Sequence, residues 1–359
     1  MQKHRILSML LALAMILTML PAAVFAEGET DALKEWSVTL GDNIGVNFYL
    51  GSADYTVTAT VNGAAVTPSI SGDVATVNVA AAQMNDTIVL TVKSGEETVH
   101  TGEYSVRQYA DTILNGSYDE EVKAMVKQML NYGAAAQTYF NYNTGALANS
   151  GITVTEATVP TDVPEVTVTD NLDGINLYGM SLMFQSKTAV RFYFTVEGNI
   201  SDYTFSQGTP VEKNGMYYVE ISGINPQDLD KAITVSVNDG AMTVTYSPLN
   251  YIVRKYNSAA SSDTLKALVQ AMYGYHLEAL EYQKYLQIIQ VGTLQQSSNT
   301  TPWVANENET FIDFNTVAYT ATTGEYTSLT ADAIKLVRGG EVYSVANPGQ
   351  GLLVKESDT

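Results

Sequence analysis

Two histidines lie beyond the first thirty residues, His100 and His276. Histidine is the side chain best suited to moving protons near neutrality or ligating a metal. Each stands alone: no second histidine falls at ligand spacing, and the chain has no cysteine to supply a thiolate. His276 falls in a helical stretch where an earlier, similar stretch has Gly133, and packing at a helix edge is the favoured reading. Asp170-x-x-Asp173-Gly174 hints at a calcium loop. Thr169 stands where the first ligand belongs, however, and Met180 where the distal glutamate belongs, so a turn is expected. No Gly-x-Ser-x-Gly elbow and no glycine-rich phosphate loop is present. A glycosidase needs two carboxylates roughly 5–10 Å apart, and among 38 acidic residues some pair meets that distance by accident. The expectation is therefore not an enzyme, with no catalytic residue, no metal site and no cofactor.

Tyrosine is the unusual excess, with 23 residues. Its flat apolar face and polar tip suit sugar stacking or a protein interface. Tyr132, Tyr139, Tyr275 and Tyr282 recur at helical spacing and are expected to pack helices on sheets. Core or scattered surface positions are favoured for most of the others. Trp36 and Trp303 flank the patterned region and either cap cores or present a stacking face. A binding protein would carry a shallow Tyr/Trp patch at equivalent places, an enzyme a deep pocket lined by perturbed acids, and a spacer neither. Which residues bind a ligand is unknown from sequence alone.

The elements that must position these residues are repeated. Ser37, Val46, Phe48 and Tyr49 recur as Ser181, Val190, Phe192 and Tyr193, at a spacing of 144. Residues 122–139 match 265–282 at seven of eighteen positions, at a spacing of 143. Between them, Tyr104-Ser105 matches Tyr246-Ser247, and Tyr109 matches Tyr251. Chance similarity of two helices would not also align the strands before them. Each copy opens with short alternating Val/Thr/Tyr runs punctuated by turns such as Asn62-Gly63, which suggests an antiparallel sandwich. Each closes with two helices. The first is started by Ser105-x-x-Gln108, or by Ser247-Pro248 in the copy. The longer is expected from near Ser117-x-x-Glu120, or near Ser262.

The fold class expected is α+β: two tandem units, each an antiparallel β-sandwich-like part followed by a two-helix hairpin, plus a small C-terminal β-rich segment. The divisions are a signal peptide at 1–26, unit 1 at 36–142, a Pro/Thr-rich linker at 143–177 and unit 2 at 178–286. A polar linker follows at 287–302, then a β-rich segment at 303–359, either a small element or a domain cut short.

The leader reads as a secretory signal: basic Lys3-His4-Arg5, an apolar run from Ile6 to Leu20, and small residues placing cleavage between Ala26 and Glu27. Its apolar run is shorter than the ~20 residues of a spanning helix. Losing Lys3 and Arg5 moves the net charge from −20 to −22. A surface this negative repels phosphate backbones, so nucleic acid is not an expected partner. No membrane span is expected in the mature chain. The absence of disulfides mildly favours a bacterial origin.

The segment "YSVRQYADTILN…VKAMVKQMLNYGAAAQTYFNYNTGALAN" (104–149), with its "LNYGAAAQTYF" string, is similar to tandem units of uncharacterised secreted or cell-surface proteins of anaerobic gut Firmicutes. The resemblance covers most of 36–282. It implies location and architecture and no active residue. The function expected is a secreted, non-enzymatic binding or interaction module for a glycan or a surface protein. The alternatives are an accessory domain of an exported carbohydrate-active enzyme, or a spacer without ligand. Oligomeric state is left open.

Overall fold

The computed structural model describes residues 32–41, 43–184, 186–298, 309–312, 335–338, 341–344 and 352–355. The leader with Ala26 and Glu27, Trp303 and most of 303–359 lie outside the described residues. The chain divides into two compact units, Met1–Leu280 and Glu281–Thr359.

The first unit is mixed α+β. Strands β1 (Leu33–Leu40), β2 (Ile44–Leu50), β3 (Thr56–Val61), β4 (Ala64–Val66), β5 (Ser69–Ser71), β6 (Val74–Val79), β7 (Ile88–Ser94) and β8 (Glu97–Tyr104) precede helices α1 (Val106–Asn115) and α2 (Glu120–Phe140). After a long connection come β9 (Thr167–Asp170), β10 (Ile175–Met183), β11 (Ala189–Val196), β12 (Val211–Lys213), β13 (Met216–Ile221), β14 (Ile233–Val237) and β15 (Met242–Tyr246). Helices α3 (Pro248–Asn257) and α4 (Asp263–Ser298) follow, α4 running on into the second unit. The antiparallel sheets have the orders β1-β2-β6-β5 and β4-β3-β7-β8, then β10-β11-β13-β12 and β14-β15-β9.

Strict alternation decides which face of each sheet is buried. On β2, Val46, Phe48 and Leu50 are sealed while Asn47 and Tyr49 face out; on β11, Val190, Phe192 and Phe194 are sealed while Arg191 and Tyr193 face out. The inward rings join sheet to sheet. Phe48 meets Tyr104 edge-on at 4.9 Å, and Phe192 meets Tyr246 at 6.2 Å. The edge strands β1 and β10 each carry a bulge at the same point, between Leu33 and Glu35 and between Leu177 and Gly179. Asn62 and Gly63 both take positive φ (49° and 79°), as the tight turn between β3 and β4 requires.

Helices α1 and α3 are tied by matching bonds to the ends of two 3-10 turns, Ala81–Gln83 and Pro226–Asp228. The Arg107 N–H donates to the Met84 carbonyl (2.8 Å) and the Leu249 N–H to the Leu229 carbonyl (2.7 Å). Ser105 caps α1, its Oγ accepting the Gln108 N–H at 3.0 Å, and Pro248 opens α3. Ser262 caps α4 by accepting the Leu265 N–H at 3.2 Å. Helix α2 begins later than expected, at Glu120 behind an extended Asp119, because Gly116 and Ser117 form the turn that leaves α1.

Residues 143–151 form consecutive turns and 152–166 run without regular structure, yet the whole stretch is held as a strap by side-chain amides that donate to its backbone carbonyls. Gln137 donates to Ala146, Gln128 to Thr155, Gln270 to Ala157, Asn257 to Pro160 and Asn250 to Pro164. Arg107 donates to the Ala148 and Ser150 carbonyls. The strap thus bonds to all four helices before Thr167–Asp170 joins β15 as an edge strand.

In the second unit the described strands β16 (Glu309–Ile312) and β19 (Leu352–Lys355) pair antiparallel, as do β17 (Lys335–Arg338) and β18 (Glu341–Ser344).

Candidate functional site

The outward faces of the two leading sheets start from the same plan and then part. The Ser37 and Tyr49 hydroxyls are hydrogen-bonded across β1 and β2 at 3.1 Å, and the Ser181 hydroxyl donates to the Tyr193 hydroxyl across β10 and β11 at 3.4 Å. Around the first pair lies a polar ladder that bonds to itself. Asn47 donates to Thr39, and its carbonyl oxygen accepts from Thr76 at 2.8 Å. Val74 stands opposite Tyr49.

Around the second pair, Tyr218 stands opposite Tyr193, with ring centroids 5.7 Å apart. Gly179 opposes Tyr193 on the other side, and a Cβ added there would meet nothing. Val211, 45% exposed, opposes Tyr218 on β12. Tyr178, at the bulge of the edge strand, is 69% exposed. An aromatic row thus runs across four strands, from Tyr178 and Gly179 through Tyr193 and Tyr218 to Val211.

A polar row lies beside it. Ser181, Arg191 and Glu220 are register neighbours on β10, β11 and β13. The Arg191 guanidinium sits 4.4 Å from the centre of the Tyr218 ring and donates to Glu220 at 2.7 Å, while the Lys187 ammonium reaches the other carboxylate oxygen at 2.8 Å. The Lys187 bond, then Arg191, holds the Glu220 carboxyl below its ordinary range against the opposing effect of partial burial. Donors and acceptors are thereby fixed next to flat rings.

A crevice between the helices and the strand ends, lined by Ile44, Tyr132, Phe184, Lys187, Met272 and Tyr275, encloses about 40 Å³. That is room for about three water molecules. A second depression, beside α1 at Ser105, Arg107 and Asp111, is open to solvent.

His276 is buried among the packing groups, its Nδ1 2.8 Å from the Pro226 carbonyl. A carbonyl only accepts, so Nδ1 carries the proton. Burial pushes the His276 pKa down. His100 lies on β8 with its Nε2 2.8 Å from the Tyr104 hydroxyl. Asp170 and Asp173 form the turn between β9 and β10: Asp170 accepts the Leu172 N–H, and Gly174 takes φ +79°. Among the described residues no three His, Asp or Glu side chains gather in a metal-holding group.

Trp36 is 2% exposed, wedged against Tyr104 and Tyr109, so it caps a core. Tyr132, Tyr275 and Tyr282 are buried, and Tyr139 is half-buried against Phe184. Sequence reasoning did not single out Tyr178, Tyr193 and Tyr218 as one face. The alternation of "AVRFYFTV" and "MYYVEI" does put Arg191/Tyr193 and Tyr218/Glu220 on the side opposite the apolar residues.

No helix among the described residues is long and apolar enough to cross a membrane. Compared with known proteins, the chain matches no family model and no curated protein.

Proposed function

We propose that the chain is an exported, non-enzymatic binding protein, with one sandwich-plus-helix-pair module used twice, of the kind found in secreted and surface proteins of anaerobic gut Firmicutes. Its ligand is a glycan or a surface protein. Export follows from the leader, and N-terminal sequencing of secreted protein beginning at Glu27 checks the cleavage. The duplication is supported by the matched orders of the leading sheets, β1-β2-β6-β5 and β10-β11-β13-β12, by the Ser37–Tyr49 and Ser181–Tyr193 bonds, and by the ring pairs Phe48–Tyr104 and Phe192–Tyr246; the trailing sheets differ, β4-β3-β7-β8 against β14-β15-β9.

The observation that carries the binding reading is the contrast between interior and surface. The crevice of about 40 Å³ is too small to enclose a sugar ring, while the exposed Tyr178 and the half-buried Tyr193 and Tyr218 lie on an outward sheet face beside fixed polar groups. Such a face binds by stacking and hydrogen bonding without excluding water from a reacting bond. The mature chain on a glycan and surface-protein array, in parallel with a polysaccharide hydrolysis panel, tests it. Specific retention without hydrolysis is expected; hydrolysis would overturn the assignment.

A spacer is the second reading. The stacked Tyr132 and Tyr275 and the bonded strap make the first unit stiff, as a spacer requires. An array with no retained ligand favours it.

A further inference from the structure

The two leading sheets have matching inward faces and different outward ones, and the difference locates a site. Inward, Val46/Val190, Phe48/Phe192 and Ala75/Val219 keep apolar residues because packing demands them. Outward, Lys34, Glu35, Asn47, Val74 and Thr76 are replaced by Tyr178, Gly179, Arg191, Tyr218 and Glu220 in the same registers. No packing rule asks an exposed sheet face to gather two added tyrosines, lose the side chain between them and the edge, and fix a Lys–Glu–Arg group alongside.

We propose that this face, and not its counterpart on β1-β2-β6-β5, is a binding site for a neutral glycan chain lying across the strands. The proposal rests on the binding reading above and deepens it.

Three features select the ligand. Tyrosine rings present flat apolar surface to the C–H face of a sugar and a hydroxyl to its edge. Lys187, Glu220 and Arg191 alternate charged donors with a charged acceptor, which suits hydroxyl groups that both give and take hydrogen bonds. The formal charge of −20 repels a polyanionic chain, and the excess of one cation in the triad is too small to reverse that. The four strands span roughly 14 Å at their usual spacing, the reach of a short oligosaccharide. Gly179 leaves open the place where a side chain would block the approach from Tyr178 to Tyr193.

The test is titration calorimetry of the mature chain with cellohexaose, xylohexaose and mannohexaose, and with polygalacturonate as the acidic arm. Binding of at least one neutral hexasaccharide and none of polygalacturonate is expected. Tyr178→Ala, at a position too exposed to disturb the core, and Tyr218→Ala should each weaken it about tenfold. Val74→Ala on the other face should change nothing, with melting curves confirming that all three variants fold. Preference for polygalacturonate overturns the ligand class. Unchanged affinity in both tyrosine variants overturns the site while leaving a binding protein. Failure of every neutral glycan, when the array does retain a surface protein, overturns this proposal alone; failure of both overturns the reading beneath it.

Discussion

Tyr132 of α2 and Tyr275 of α4 are stacked, ring centroids 6.1 Å apart at 21°, both almost sealed from solvent. They occupy corresponding positions in the two similar helices. Met272 and Phe184 line the same crevice as the two rings.

This contact should dominate the attachment of the helices. Tyr132→Ala and Tyr275→Ala should each destabilise by about 3–5 kcal/mol, the range for a large buried aromatic. A double-mutant cycle in urea should return a coupling of about 0.5–1.5 kcal/mol for the ring pair. Strictly additive effects would mean that the rings fill space independently.

Burial of the phenols also sets an alkaline limit. The Tyr104 hydroxyl is pushed up to about 12 by burial, from an ordinary value of 10.0, and burial pushes Tyr132, Tyr246 and Tyr275 higher still. Above pH 10 the unfolded chain releases phenolic protons that the folded chain keeps. Stability therefore falls with rising pH, by about 1.4 kcal/mol per unit for each such group. For Tyr104 the window closes near 12. Tyrosinate absorbance followed with circular dichroism should show a set of tyrosines ionising only as the fold is lost. Complete ionisation of a still-folded chain would contradict this.

Much of this was legible in sequence because packing writes itself there. Phe48 and Phe192, and Tyr132 and Tyr275, sit where periodicity demands, Ser105 where capping chemistry does, and Pro248 at the first turn of its helix. The outward face was less legible. Tyr178 falls on a bulge, where alternation breaks, and Tyr217 and Tyr218 are neighbours in sequence but point to opposite sides of β13. The strap was the least legible, since Pro and Thr announce extended chain but not its partners. Those are amides on helices up to 113 residues away, as with Gln270 and Ala157.

The strap should fail first at Gln137. Its amide is fully buried, donating to the Ala146 carbonyl at 2.9 Å and accepting the Ala148 N–H at 2.8 Å. Gln137→Leu strands the buried Ala148 N–H, at about 1–3 kcal/mol, while the Ala146 carbonyl keeps the Asn85 side-chain amide at 2.7 Å. Asn257→Ala, on an exposed side chain, should cost less than about 1 kcal/mol. Limited proteolysis should cut Gln137→Leu within 143–166 faster than either the parent or Asn257→Ala. Equal cutting would show that the other amides hold the strap alone.

Gly133 and His276 occupy matching positions with opposite solutions. A Cβ on Gly133 would meet the Met84 sulfur at 2.6 Å, the Ala81 carbonyl at 3.1 Å and the Ala148 Cβ at 3.2 Å. His276 instead donates to Pro226, in the 3-10 turn corresponding to that of Ala81. Met84 can swing away from a new methyl group, but the Ala81 carbonyl belongs to a backbone turn held between β6 and the helices. Overpacking costs about 1–3 kcal/mol, against a gain of about 0.8–1 kcal/mol for alanine over glycine inside a helix. Gly133→Ala should therefore be neutral to destabilising by about 2 kcal/mol. Combined with Met84→Ala, it should cost less than the two changes summed, because the thioether it strikes is gone. Thermal unfolding of the two single variants and the double one decides the matter, and an additive double variant would place the obstruction in the backbone rather than in Met84.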